Sequence, residues 1–347
     1  MTTDFSTIKA IAERSPVTAA ELSREIVPGC EPVVLRGQFA EWPVVNAAQA
    51  SPNELIRYIG GFSAEHSVNA FEAPAEVRGR YFYNGDLSGF NFERIDLPIG
   101  QLLTRLVELG DTEEGPSLYA GAIPLKGPLA GFLEANANSL VAPETEQLSS
   151  LWIGNRGVTA THYDLPQNIA VCVHGRRRFT VFPPEQLDNL YIGPLDKTLA
   201  GQPISLVSLQ DPDLDRFPKF AEALSQARTT ILEPGDAIYL PSMWFHNVES
   251  LDWLGVLVNF WWRDAAVHMF TPMFTMLHAM LSIKGMPEYE RDCWKRMFDH
   301  YVFEVDGDPM AHVPEDARGF FGDLDPEKVA RLRLYLLHSL GGQPRQR

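Results

Sequence analysis

The chain has 347 residues, 45% of them apolar, which is enough for a sizeable core in one large domain or two modest ones. Its 45 acidic residues outnumber 29 basic ones, giving a formal net charge of −16; this repels phosphate backbones and anionic lipid and argues against nucleic acid or a membrane as partner. Cys30, Cys172 and Cys293 are odd in number and widely spaced, and neither a signal-peptide core nor a run of the ~18 apolar residues that span a bilayer occurs, so a cytoplasmic protein without a disulfide framework or a cysteine zinc site is expected.

In chain order, Thr18 with Glu21 and Ser51-Pro52 with Glu54 have the spacing that opens short helices, and Glu31 to Gly37 reads as a strand between them. From Ser67 to Phe92 the chain is aromatic and turn-rich, with Tyr81-Phe82-Tyr83 running into Asn84-Gly85, a dipeptide favoured in tight hairpins. Leu102, Leu103, Leu106 and Val107 make one apolar stripe on a helix over Ile99 to Leu109.

Between Leu151 and Trp262 the pattern changes to short strands, at Ile169–Val173, Phe179–Phe182, Thr229–Leu232, Ala237–Leu240 and Gly255–Trp262, with turns at His174-Gly175 and Pro234-Gly235-Asp236. Such a series predicts a sandwich or small barrel, the class that includes jelly rolls. Beyond Arg263 the chain is helical, first with a wide apolar face of Met269, Phe270, Met273, Phe274, Met276, Leu277, Met280 and Leu281, then with Trp294, Phe298, Tyr301 and Val302. The expected division is a mixed α/β segment over 1–117 packed on a barrel over 118–263, followed by a helical region over 264–347 whose wide apolar face either packs under the barrel or forms a dimer interface, which the sequence does not decide.

His162 and Asp164 are one residue apart, so on an extended segment both point to one face. His246 lies 82 residues beyond Asp164, just past the Pro234-Gly235-Asp236 turn and its strand. Two imidazoles and one carboxylate form a facial triad that holds non-haem iron and leaves three positions open. The remaining histidines have no comparable partners and are read as surface or packed residues. Trp244, Phe245, Trp261 and Trp262 are read mainly as core.

Gly157-Val158-Thr159-Ala160-Thr161-His162-Tyr163-Asp164, Gln167-Asn168, Phe182-Pro183-Pro184, Pro234-Gly235-Asp236 and Val258-Asn259-Phe260-Trp261 together resemble the cupin-like JmjC hydroxylases, asparaginyl hydroxylases among them. The resemblance is strong from Leu151 to Arg263. It implies a mostly β protein with flanking helices, a double-stranded β-helix (jelly roll) with a helical C-terminal extension. It also implies an Fe(II)- and 2-oxoglutarate-dependent dioxygenase that hydroxylates a protein or peptide side chain or a small molecule, with N-methyl removal open to the same chemistry. Carried over by position, His162, Asp164 and His246 are the iron ligands. Thr159 and Tyr119 serve the distal carboxylate of 2-oxoglutarate, while Asn168 and Asn259 border iron and cosubstrate. Arg177 stands where asparaginyl hydroxylases carry the lysine that pairs with that carboxylate, and the sequence leaves open which of Arg176, Arg177 and Arg178 faces inward. The resemblance also implies a homodimer through the C-terminal helices. The alternatives are a non-catalytic binding protein and a differently metallated cupin such as an isomerase, which would need further His and Glu ligands.

Overall fold

Ile169-Ala170-Val171-Cys172-Val173 is apolar on both faces, as a strand covered on each side must be. The computed structural model describes residues 2–62, 65–112, 115–142, 144–266 and 268–341. Its strands are β1 (Lys9–Ala10), β2 (Ala12–Arg14), β3 (Val33–Leu35), β4 (Ser67–Ala73), β5 (Glu93–Pro98), β6 (Ser117–Pro124) and β7 (Leu148–Asn155). They continue with β8 (Val158–Tyr163), β9 (Gln167–His174), β10 (Arg177–Phe182), β11 (Arg228–Leu232), β12 (Ala237–Leu240), β13 (Phe245–Ser250) and β14 (Leu254–Trp262).

They form a minor sheet in the order β1-β11-β10-β13-β8 and a major sheet in the order β2-β3-β12-β9-β14-β7-β6-β4-β5. From β7 to β10 the chain alternates major, minor, major, minor, and from β11 to β14 minor, major, minor, major. That back-and-forth winding is the jelly roll expected from the sequence, and flanking helices surround it.

Alternation along β9 divides its side chains between two layers. Ile169, Val171 and Val173 join Val44, Val45, Leu55, Ile59, Leu102, Leu103 and Leu106 in one cluster, so the helices Pro43–Ala50, Pro52–Gly60 and Ile99–Leu109 cover the outer face of the major sheet. Ala170 and Cys172 turn inward to Phe179, Val181, Leu232 and Ile238 between the sheets. A fully buried Leu, Ile or Val contributes about 1.5–3 kcal/mol over an exposed one, so these layers hold the barrel shut.

The turn from β11 to β12 is built on Asp236, whose carboxylate accepts from the backbone N–H of Gly37 (2.8 Å) and of Glu233 (3.0 Å) and pairs with Arg36 at 2.6 Å. Gly235 sits at φ +95°, and a Cβ there would meet the Ala40 Cα at 2.9 Å, so glycine is required both by conformation and by space. The tight hairpin expected at Asn84-Gly85 is replaced by a wider loop. The Asn84 N–H donates to the Gly89 carbonyl while its side-chain oxygen accepts from the Gly89 N–H, and Tyr83 and Phe90 form only an isolated bridge.

The chain divides into two compact units, Met1–Arg263 and Asp264–Arg347. The second contains the helices Pro272–Ser282, Glu288–Tyr301 and Pro326–Gly341. Met269 and Phe270 precede the first of these: Thr271 caps it, its hydroxyl accepting from the Met273 N–H, and Pro272 occupies the first turn. Among the unit's described large apolar side chains Val329 alone is buried.

Candidate metal centre

His162 lies on β8 and Asp164 just past its end, while His246 is directly opposite His162 in the antiparallel β8–β13 register. That register is interrupted between His246 and Val248, the kind of irregularity that re-aims a side chain beside a site. The His162 Nδ1–H donates to the Ala160 carbonyl at 2.9 Å and the His246 Nδ1–H to the Trp244 carbonyl at 3.1 Å. Each bond fixes a ring and leaves the Nε2 lone pair free for a metal. Asp164 Oδ2 is 3.5 Å from His246 Nε2, and Oδ1 is 4.0 Å from His162 Nε2. One potential ligand atom from each residue falls within 4.8 Å of the others.

Burial, reinforced by neighbouring His246, pushes the His162 imidazole down to about 4, so it is neutral at pH 7 as a ligand must be. Burial acts to raise the Asp164 carboxyl, but the facing His246 and His162 outweigh it and hold the group below the usual carboxylate range.

The triad opens on a cavity that Tyr119, Thr159, Asn168, Arg177 and Asn259 also line. All eight residues singled out from the sequence are thus brought to one place, from β6, the β8 edge, β9, β10, β13 and β14.

The three arginines separate cleanly. Arg176 binds Asp252 through its backbone N–H (2.6 Å), Nε (3.2 Å) and Nη2 (2.9 Å). Arg178 pairs with Glu249 at 2.6 Å and lies 4.0 Å over the Phe5 ring. Arg177 is only 5% exposed and has no carboxylate partner among the described residues, and its Nε has no hydrogen bond. Burial pushes its guanidinium below the usual range. Tyr119 beside it is pushed up to about 12 by burial, against the pull of Arg177 and a hydrogen bond with Thr159. A buried cation with no anion is costly unless a ligand supplies one.

Two tryptophans are among the other residues of the wall. Trp152 donates its indole N–H to Asn259 Oδ1 at 2.7 Å, which fixes the amide and leaves Nδ2 as an unpartnered donor. Trp261, read from sequence with the core, lines the cavity with its own indole N–H unpartnered, whereas Trp244, Phe245 and Trp262 are buried as expected. The signal was available, because Trp261 is two residues from Asn259 on one strand and so shares its face. Asn168 Oδ1 is likewise without a partner.

Residues 19–267 match the cupin-like domain family. The chain belongs to that family, in its JmjC type. Among curated relatives it is similar to lysine-specific demethylase JMJ31 of Arabidopsis thaliana, 35% identical over 291 residues, covering 75% of this chain and 51% of the relative. It is 28% identical over 315 residues to tRNA wybutosine-synthesizing protein 5 of Gallus gallus, covering 81% of this chain and 90% of the relative. A shorter match, 40% over 119 residues, is to human HSPB1-associated protein 1, covering 33% of this chain and 23% of the relative. The chain thus spans about half the length of the plant relative and less of several others.

JmjC-type enzymes use Fe(II) and 2-oxoglutarate, and the cavity suits both. Its donor set of two imidazoles and a carboxylate is that of an open iron site. Its orphaned guanidinium calls for a carboxylate.

Proposed function

We propose that the chain is a 2-oxoglutarate-dependent hydroxylase in which His162, Asp164 and His246 hold Fe(II) and Arg177 holds the distal carboxylate of 2-oxoglutarate. The observation that carries this reading is the Arg177 guanidinium, buried without an anion in the cavity that the triad lines. When bound, iron and 2-oxoglutarate supply the oxidising power that places an atom of dioxygen on a substrate C–H carbon. The protein's part is orientation. Arg177 offers a bidentate fork, Thr159 and Tyr119 add hydroxyls beside it, and Asn168 and Asn259 present an acceptor and a donor at the wall. The backbone carbonyls of Ala160 and Trp244 keep both imidazoles turned toward the ion.

The substrate class we favour is a protein or peptide side chain or a small molecule. One relative is named a lysine-specific demethylase, and hydroxylation of an N-methyl carbon followed by loss of formaldehyde belongs to the same chemistry. Another is named for tRNA wybutosine synthesis, but a net charge of −16 opposes binding a polyanion here. Among the described residues the metal cluster holds three ligands, which favours an oxygenase over an isomerase needing a further His and Glu. We assign 1–117 to support of the barrel, 118–263 to the site and 264–347 to homodimerisation, in a reducing, cytoplasmic setting that fits three free cysteines.

The test is succinate release from 2-oxoglutarate with Fe(II) across a panel of peptides, N-methylated peptides and metabolites. Substrate-stimulated succinate with a mass gain of one oxygen, or loss of a methyl group, is the expected result. Absence of any 2-oxoglutarate binding by the iron-loaded protein would overturn the reading.

A further inference from the structure

The planar guanidinium of Arg177 is wider than an ammonium and needs room on every side. On one side that room comes from strand β14. A Cβ at Gly255 would lie 2.8 Å from Arg177 Nη2 and 3.3 Å from its Cζ, with Ser250 Oγ also at 2.8 Å. Real Cβ atoms essentially never approach closer than 3.0 Å. Gly255 is not among the positive-φ glycines and it pairs with Gly154 of β7 without a register shift, the irregularity in β14 falling on its other ladder, to β9, between Val256 and Leu257; its own φ therefore does not demand glycine. Its strand neighbours Leu254, Val256 and Val258 are fully buried apolar side chains. A glycine costs stability in a strand interior and marks either a bulge or a close approach; the distances to Arg177 point to the second.

We propose that Gly255 is a positioning residue for the cosubstrate: its missing side chain is the space that admits the Arg177 guanidinium to the cavity, so that Gly255 and Arg177 act as a matched pair for a carboxylate-bearing ligand. The inference rests on the reading of Arg177 as the cation for 2-oxoglutarate. It goes beyond it by making the preference for arginine over lysine at 177 depend on a residue of the opposite sheet. A side chain at 255 displaces the fork from its carboxylate geometry, whereas a lysine at 177, with a single terminal nitrogen, escapes the collision.

The experiment is a double-mutant cycle read by calorimetric binding of 2-oxoglutarate to Mn(II)-loaded protein, with Mn(II) affinity measured in parallel. Gly255→Ala should weaken 2-oxoglutarate binding by about tenfold, the size expected when residues in contact are coupled. Arg177→Lys should weaken it as well, and Arg177→Lys/Gly255→Ala should bind within about twofold of Arg177→Lys alone. Mn(II) affinity should hold across the set, and Ser250→Ala should leave Gly255→Ala unrescued. An equal loss from Gly255→Ala in both backgrounds, an unchanged affinity in Gly255→Ala, or rescue by Ser250→Ala overturns the proposal. Where Gly255→Ala fails to fold, recovery of the fold in the double variant supports the clash, and failure of both overturns it. Arg177→Ala separates the two readings. If it leaves 2-oxoglutarate binding intact, the parent assignment is wrong; if it abolishes binding while Gly255→Ala is silent, only the pairing falls.

Discussion

His162 on β8, Asp164 just past its end and His246 on β13 are proposed to act as one chelate, so removing any one should release the ion. Purified His162→Ala, Asp164→Ala and His246→Ala should each lose stoichiometric Fe(II) by metal analysis, and retention by all three would sink the assignment. Arg177→Ala should leave iron in place yet raise the 2-oxoglutarate requirement by an amount matching about 1.5–3 kcal/mol, the range for a charge-assisted bond, with Thr159→Val milder. Arg176→Ala and Arg178→Ala should change it little, because Asp252 and Glu249 already pair with those side chains; a larger effect from either would move the role by one residue. The triad was legible because its spacing encodes a strand face. The choice among three adjacent arginines was not, since it depends on acids 76 and 71 residues away.

At the scale of elements, sequence reading located the strands whose apolar residues run unbroken, such as β9, β12 and β14. No strand is legible at β4, β5 or β6, nor at β7 or β13, where buried Ser149, Ser150, His246 and Asn247 stand in positions that a core strand would fill with aliphatics. Of these His246 belongs to the site itself, so a strand that carries chemistry lacks the aliphatic pattern that would announce it. The turns fared unevenly for a similar reason. Pro234-Gly235-Asp236 reads as a turn on its own, but the Asn84 loop is set by its side-chain contact with Gly89, five residues on. Asp236 also ties the β11–β12 turn to Arg36 and Gly37, near the start of the chain. Asp236→Ala leaves two N–H groups and a guanidinium short of their acceptor and should cost on the order of 3 kcal/mol. Urea denaturation followed by tryptophan fluorescence measures this, and an unchanged midpoint would show that the turn holds without its carboxylate.

For the whole molecule, the main question is how the helical unit hides its surface. Phe270 is 61% exposed, Phe274 63%, Leu281 86% and Leu337 67%, and no residue of the helix Pro272–Ser282 is buried. Helices with so little core of their own are stable only when something covers their apolar residues. We propose a second copy as the occupant, because exposed apolar residues recur on all three helices of the unit and a symmetric pair lets identical faces meet. Light scattering at micromolar concentration should therefore give twice the mass of the chain. Leu277→Arg, at a position 41% exposed, should yield monomers whose barrel melts as in the parent. A monomeric parent protein would remove the homodimer. A Leu277→Arg variant that unfolds rather than dissociates would instead place Leu277 in the interior of its own unit, leaving the remaining exposed apolar face without an assigned partner.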